Sequence, residues 1–436
     1  MTAPPPRSAA PDVPAEAAAA RDAALEVVTT LREAGHAAFF AGGCVRDALL
    51  GLAPSDFDVA TDAPPDRVAG LFRRTQAVGA AFGVVLVHQK RGKRRVATEV
   101  ATFRTDGVYT DGRRPASVSF ATAEEDAARR DFTCNGLFWD PLHGQPGGAG
   151  DPRADAEGVI DFVGGRADLA AGLLRAIGDP AARFAEDHLR LLRLVRFAAR
   201  FGFAVEPATE AAARAAAPRV AGVAAERVGD EVAKMLSAAP PAPAAAAALL
   251  SRLGLADRVL GPGQGGPPAA LAALGPAPLA TAVAALALDR AGSPAAASGL
   301  IRTRWAPALS LPNAVADAST GVLDALHALR GWGTLGVAAR KRLASMPTFR
   351  DGPLALLRAV DPQAAAAVAS DVAALAGDGV GLAPPPLLDG RALIAAGLRP
   401  GPAFRTMLDA AYDAQLEGRV SSPGDALEVA EASVSA

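Results

Sequence analysis

The sequence predicts an α+β fold: an N-terminal head with a small mixed sheet, followed by an all-α neck, body and tail. Three observations predict it. Short β-like runs bounded by turn residues fill the stretch between residues 37 and 102. Helical apolar spacing takes over after about Gly165. From about Ala238 onward, Ala/Leu-rich stretches alternate with Pro/Gly breaks.

In chain order, residues 1–18 are Ala/Pro-rich without an apolar period and read as a disordered leader. Asp22 to Ala34 has helical spacing, and Gly35 ends it. Strand-like runs follow at Ala37–Phe40, Phe57–Ala60, Gly83–Gln89 and Arg94–Thr102. Lys90-Arg91-Gly92-Lys93-Arg94-Arg95 forms a basic hairpin tip between the last two. Asp179–Arg200 reads as one long helix and Glu226–Ser237 as another, while Pro240–Pro243 and Gly261–Pro268 read as loops. A fresh apolar pattern opens after Pro386. The expected divisions are therefore head 19–165, neck 166–237, body 238–386 and tail 387–436.

Composition narrows the class more than the function. The 436 residues are 50% hydrophobic and 21% charged, with a formal net charge of −2, so a nucleic-acid partner would need a local basic surface. Lysine occurs only at 90, 93, 234 and 341. Cys44 and Cys134 are too few for a disulfide framework or a Cys-rich zinc module, and they read as small buried hydrophobes. The five histidines are scattered and none precedes an aspartate, which argues against a metal phosphohydrolase of the His-Asp kind. No apolar run approaches the ~20 residues of a membrane span. No secretory signal is recognisable, so a cytoplasmic location is expected.

Chemistry concentrates in Ala41-Gly42-Gly43-Cys44-Val45-Arg46-Asp47 and, after a short helix, Ser55-Asp56-Phe57-Asp58-Val59. Paired glycines between a strand and a helix let backbone N–H groups approach an anion closely. Arg46, one turn in, can add a charged fork. In a strand-like Asp-Phe-Asp, the two carboxylates share one face and Phe57 takes the other. Paired carboxylates beside a phosphate cradle make a hard-oxygen site for Mg²⁺, suited to attack of a 3′-hydroxyl on an α-phosphate. Either motif alone is more often a plain turn or a solvated strand end. Their joint order is specific.

This stretch resembles motif A of the class II tRNA nucleotidyltransferase and bacterial poly(A) polymerase family, within the DNA polymerase β-like superfamily. The resemblance continues in Arg129-Arg130-Asp131-Phe132-Thr133-Cys134-Asn135, which is similar to the motif for ribose and triphosphate recognition. It extends through Ile160–Gly165 and Leu174–Pro180 into Arg183-Phe184-Ala185-Glu186-Asp187-His188-Leu189-Arg190, and it returns in Leu388–Arg391, Gly397–Pro402 and Gln415–Gly418. It implies addition of C, C and A to tRNA 3′ ends from CTP and ATP. It also implies Asp56 and Asp58 as catalytic metal ligands, with Gly43, Arg46, Arg130, Asp187, Arg190, Arg193 and Arg196 at the nucleotide. Thr105–Pro115 is similar to the family's flexible loop and is expected to move between CTP and ATP.

Residue chemistry supports base reading at the neck. Asp187 and Arg190 stand three apart, neighbours on one helix face. A carboxylate accepts from an exocyclic amino group and a guanidinium donates to a ring acceptor, a pattern that C and A share and U and G lack. The plain alternative is a helix ion pair. Arg193 and Arg196 continue the spacing, but each step turns back by about 60°. Arg193 then suits triphosphate contact or bracing, and Arg196 cannot reach the same base edge.

Other signals stay open. Glu99 reads equally as a third metal carboxylate or as a partner for nearby arginines. Asp131 reads as another acidic candidate or as part of an Arg-Arg-Asp cap. Trp305 and Trp332 read as core. A bacterial poly(A) polymerase is a close alternative, disfavoured because the segment from Glu417 onward carries four acidic residues and one Arg. The run Val78–Val85 also looks more like the tRNA enzymes. An enzyme adding only CC or only A is a further alternative. A catalytically dead RNA-binding relative would have lost a motif A carboxylate, and both are present.

Overall fold

The computed structural model describes residues 15–78, 83–92, 94–106, 118–144, 151 and 153–435. Lys93, residues 79–82 of the run 78–85, and the loop 105–115 apart from Thr105 and Asp106 lie outside these residues. The chain divides into two compact units, Met1–Ala224 with Leu253–Leu255, and Ala225–Arg252 with Ala256–Ala436.

The first unit opens with α1 (Ala15–Glu33), which starts seven residues earlier than its apolar spacing predicts. Residues 16–20 carry the best helix former at four of five positions and Ala17 is buried, so residues 15–18 belong to the helix and not to a leader. Ala23, Ala24, Val27, Val28 and Leu31 form its buried stripe. Next come β1 (Ala38–Ala41), α2 (Gly43–Leu49), β2 (Asp58–Thr61), α3 (Pro65–Leu71), β3 (Thr75–Ala77), β4 (Val84–Arg91) and β5 (Arg94–Thr102). A small ribbon follows, β6 (Arg104–Asp106) with β7 (Val118–Phe120), then α4 (Ala123–Ala128), β8 (Leu137–Trp139) and β9 (Val159–Asp161).

One mixed sheet of seven strands results, in the order β3-β4-β5-β2-β1-β8-β9. β2 and β5 are parallel, with Val59 opposite Val100; the other neighbours are antiparallel. Phe39 and Phe40 alternate across β1. Phe39 packs with Phe103 and Phe138, and Phe40 with Phe57 and Trp139. Each such buried ring contributes about 2 kcal/mol. The strands missed by the sequence reading, β3 and β6 to β9, are three residues long, too short to show an alternation.

The neck follows with α5 (Gly165–Ala171), β10 (Leu173–Leu174), α6 (Pro180–Glu186), α7 (Arg190–Phe201), β11 (Ala204–Val205) and α8 (Pro207–Ala216). The single helix expected over 179–200 is thus two. Asp187 adopts extended dihedrals (φ −138°, ψ 107°), its Oδ1 accepts from the Leu189 N–H at 3.0 Å, and its carbonyl accepts from the Arg190 N–H at 3.0 Å. A short polar side chain that caps the next helix competes here with continued helix, and it wins. α7 itself is apolar along one side, with Leu191, Leu192, Leu194, Val195 and Phe197 buried.

In the second unit, α9 (Ala225–Leu236) buries Val228, Val232, Met235 and Leu236 against helical neighbours, so it groups with the body although its place in the sequence suggests the neck. Helices 242–252, 279–291, 313–330, 337–344, 353–360 and 362–376 follow. The prolines at 241 and 243 bracket the first turn of 242–252, where a missing N–H costs nothing, so part of the expected loop is helix. Trp305 and Trp332 are buried, and their indoles donate to the Leu260 carbonyl (2.7 Å) and the Asp371 carboxylate (2.9 Å). Leu388, Leu393, Met407, Ala411 and Val420 form a separate tail core. Among the described residues no helix is long and apolar enough to cross a membrane.

Candidate active site

β1 runs straight into a turn that only glycine can make. Gly42 has φ +71° and ψ −118°, and its N–H donates to the Leu137 carbonyl at 3.0 Å. A Cβ here would stand 2.9 Å from Arg130 Nη1, and one on Gly43 would stand 3.6 Å from Arg46 Nη2. Two guanidiniums therefore lean on the paired glycines. Gly42→Ala is expected to cost about 1–3 kcal/mol of strain and to raise the nucleotide KM by displacing Arg130. Thermal unfolding with steady-state kinetics checks this, and an unchanged KM would separate the turn from the nucleotide.

Arg130 is aimed by buried Asp126, which accepts from its Nε (3.2 Å) and Nη2 (2.9 Å), while Nη1 donates to the Asn135 carbonyl at 3.1 Å. Its guanidinium lies over the Phe138 ring, 4.9 Å from the centroid. Burial opposes the charge of Asp126, but Arg130 and Arg129 hold its carboxyl below the usual range.

Arg46 does not reach outward as its place in the first turn of α2 suggests. It is buried, donates from Nε to Asp47 (2.7 Å) and from Nη1 to Asn135 Oδ1 (2.5 Å), and packs against Phe197 and Phe201 of α7, 5.1 and 4.7 Å from their ring centroids. Asn135 in turn donates from Nδ2 to Asp131 (2.9 Å), and Asp131 accepts from Arg193 Nε at 2.7 Å. Asp131 is thus neither a metal carboxylate nor a helix cap. Burial works against its charge, and Arg193 with Asn135 overcomes it, bringing its carboxyl down to about 2. Arg193 is a brace between α7 and this motif, and Arg196 stacks on Phe197 at 4.2 Å.

The acidic pair follows the expected alternation. Asp56 and Asp58 are exposed and Phe57 between them is buried, with β2 beginning at Asp58. The parallel register carries Glu99 of β5 to the side of Asp58. Surrounding protein, then Glu99, then Asp56 push the Asp58 carboxyl up to about 7, with Arg130 pulling the other way. Glu99 is likewise raised, by burial and by Asp56, and lowered by Arg104. Both readings of Glu99 thus have support, since it feels the acidic pair and an arginine. Among the described residues no three His, Cys, Asp or Glu side chains are gathered as a ready-made metal site. The trio is close enough to repel without being closed into a coordination shell, and oxygen donors of this kind fit a hard divalent cation.

At the break between α6 and α7, Arg190 is buried. It donates from Nη1 to Glu186 and the Arg183 carbonyl (2.9 Å), and from Nη2 to the Arg129 carbonyl (3.1 Å). Arg183 also donates to the Arg129 carbonyl, at 3.0 Å. Asp187 sits in the turn just before Arg190, so the two are neighbours through a capped bend and not through one helix face. The supports Asp126, Asn135, Arg183 and Glu186 were given no role by sequence reasoning. Glu186 could have been found from its four-residue spacing to Arg190 and Asp126 from its spacing to Arg130. Asn135 lies 89 positions from Arg46, and no local signal joins them.

This arrangement matches known proteins. Residues 38–175 fit the model of the poly A polymerase head domain, and residues 202–264 fit that of the "Probable RNA and SrmB- binding site of polymerase A". The chain thus carries a region similar to the poly A polymerase head domain, followed by one similar to that RNA-binding region. It is 42% identical over 240 residues to the CCA-adding enzyme of Geobacillus thermodenitrificans, covering 55% of this chain and 54% of that one. Over 214 residues it is 40% identical to the Bacillus subtilis enzyme of the same name, 49% of each. The chain spans about half the length of the curated relatives it matches. The crystal structure of the Bacillus stearothermophilus CCA-adding enzyme in complex with CTP superposes with a TM-score of 0.70 at 29% identity, covering 93% of this chain and 96% of that one. A Thermotoga maritima CCA-adding enzyme complexed with tRNA shares the fold at 18% identity and a TM-score of 0.63.

Proposed function

We propose that this chain is a template-independent RNA nucleotidyltransferase that adds C, C and A to tRNA 3′ ends from CTP and ATP, releasing pyrophosphate in the cytoplasm. One juxtaposition carries the reading: the acidic pair, the glycine turn with Arg130, and the Asp187–Arg190 bend all lie in one compact unit, linked by Arg129 and Arg130. The relatives that share this region carry the same activity in their names, and one of them was crystallised with CTP.

The residues divide the work. Gly42, Gly43 and Arg130 seat the triphosphate, with Arg46 fixed beneath them and Arg193 and Arg196 flanking on α7. Asp187 and Arg190 test the base: a guanidinium has five N–H donors, and three of Arg190's are used by protein, which leaves donors for a C or A edge. Asp56 and Asp58 would hold Mg²⁺, with Glu99 beside them. When bound, the cation supplies charge neutralisation at the reacting phosphate and acidifies the attacking hydroxyl. In this assignment residues 166–224 select the nucleotide, while the helical body and tail grip the RNA.

Stepwise extension tests the function. A tRNA lacking its 3′ end and a generic oligonucleotide are incubated with CTP or ATP separately. Growth by C, C, then A and a stop is expected; long A tails on any RNA would instead mark a poly(A) polymerase.

Proton linkage tests the metal site. The folded value of about 7 for Asp58 lies above the ordinary 3.8, so the fold disfavours its charged form. Metal-free protein keeps this contribution to stability below the ordinary value and loses it as pH rises through about 7. A cation reverses the preference. The Tm gain from Mg²⁺ is expected to be larger at high pH than at low pH, and equal gains would remove the carboxylates from the site.

A further inference from the structure

The basic hairpin β4–β5 treats its cations unequally on its two faces. Its register pairs Leu86 with Glu99, His88 with Ala97 and Lys90 with Arg95, so these side chains share the face of Asp58. On the opposite face Val85, Val87, Thr98 and Val100 are buried, and the cations there are tied to α1. Arg91 pairs with Glu26 and donates to the Asp22 carbonyl (3.3 Å), and Arg94 lies 3.5 Å from Glu16. Lys90 and Arg95 are exposed, and among the described residues no carboxylate pairs with either.

Two unpaired cations thus stand at one end of a track whose other end is the acidic trio. Arg95 and Glu99 are separated by about 13 Å of extended strand. β2 pairs with β5 only where Val59 meets Val100 and beyond, which leaves the edge of β5 from Arg94 to Thr98 open. A cavity of about 620 Å³ fills this notch, bounded by Ser55–Asp58, Leu86, the β5 edge, and Glu16, Ala19 and Ala20 of α1, with Glu16 turned to Arg94. None of Gly42, Gly43, Arg46, Arg130 or Arg190 lines it. An in-line displacement sets the attacking oxygen and the departing pyrophosphate on opposite sides of phosphorus. With the triphosphate on the glycine turn, the attacking hydroxyl has to come from another side of the acidic pair, and the notch borders that pair.

We propose that the notch and the Lys90/Arg95 face seat the 3′-terminal strand of the RNA, with its phosphates on the two cations. This rests on the nucleotidyl-transfer reading above. The peptide groups of the β5 edge that β2 does not pair can bond base or sugar, and the acidic trio receives the terminal hydroxyl. Of the described cations on the hairpin, the two facing the acids serve the RNA, while Arg91 and Arg94 fasten the hairpin to α1.

The test compares wild-type protein with Lys90→Ala, Arg95→Ala and the double variant, using tRNA lacking its 3′ end as the probe. The RNA KM is expected to rise several-fold in each single variant and further in the double. The CTP KM stays unchanged, which also reports an intact fold. The log–log salt dependence of RNA binding should flatten by about 0.7 for each cation removed from a single strand. An unchanged RNA KM and salt slope in a wild-type background that does extend RNA would overturn this proposal. An equal rise in the CTP KM would overturn it too, by assigning the cations to the nucleotide. A wild-type protein that binds the tRNA with the same salt slope but adds nothing would sink the transfer reading and leave the strand site standing.

Discussion

Asp56→Ala is expected to abolish nucleotide incorporation, by roughly 10³-fold or more, while RNA binding and the fold survive. The side chain is exposed, and its hydrogen-bond neighbour is the Ser55 hydroxyl at 3.3 Å, so its removal leaves no cavity and no buried orphan. It does remove a negative charge that raises the carboxyls of Asp58 and Glu99. Stability should therefore hold or increase as turnover disappears, the opposite pairing to that of a structural residue. The size of the loss follows from the several kcal/mol of transition-state charge stabilisation that a bound cation supplies. Single-turnover extension, gel-shift and thermal unfolding on one preparation decide it. Turnover within tenfold of wild type would place the metal elsewhere.

Arg190→Ala is expected to degrade the choice between CTP and UTP by about 10²-fold. Sites built to hydrogen-bond a substrate group reject analogues that lack it by about 10⁴–10⁵-fold, and removing one of two readers forfeits part of that. The change also takes from half-buried Glu186 one of its two arginine partners, leaving Arg183, and removes one of two side-chain donors to the Arg129 carbonyl, so some stability is lost as well. The diagnostic readout is the ratio of kcat/KM for CTP over UTP, which a merely structural defect would leave in place. Arg190→Lys keeps the charge but not the planar fork, and should fall between the two. If discrimination against UTP is intact in the alanine variant, the base is read by other residues.

The parts of this site legible in the sequence are those that local rules fix. Gly42-Gly43 demanded a strand-to-helix turn, and Asp56-Phe57-Asp58 demanded two carboxylates on one side with the ring beneath; both hold, because each depends on residues within a few positions. Arg94–Thr102 held to the residue, since β-branched alternation runs from Val96 to Thr102 and the Gly92 turn stands just before it. The helix break at Asp187 was hidden by the apolar stripe that runs on through it. A capping aspartate and an interior one look alike until the backbone is seen. Arg46 illustrates a second limit. Its neighbours in sequence suggested a phosphate contact, whereas Phe197 and Phe201, far along the chain, bury it. The long-range chain from Arg46 through Asn135 and Asp131 to Arg193 is tertiary, and no spacing encodes it.

The Arg129 carbonyl has a consequence for fidelity. It accepts from both Arg183 and Arg190, and the very next residue leans on the glycine turn. Under the proposed assignment, base inspection and phosphate alignment are then mechanically coupled. A nucleotide whose edge disappoints Arg190 would tilt this peptide and shift the cradle under its own triphosphate. Wrong nucleotides should accordingly dock almost as tightly as right ones yet react slowly, so that accuracy resides in the rate of bond making and not in affinity.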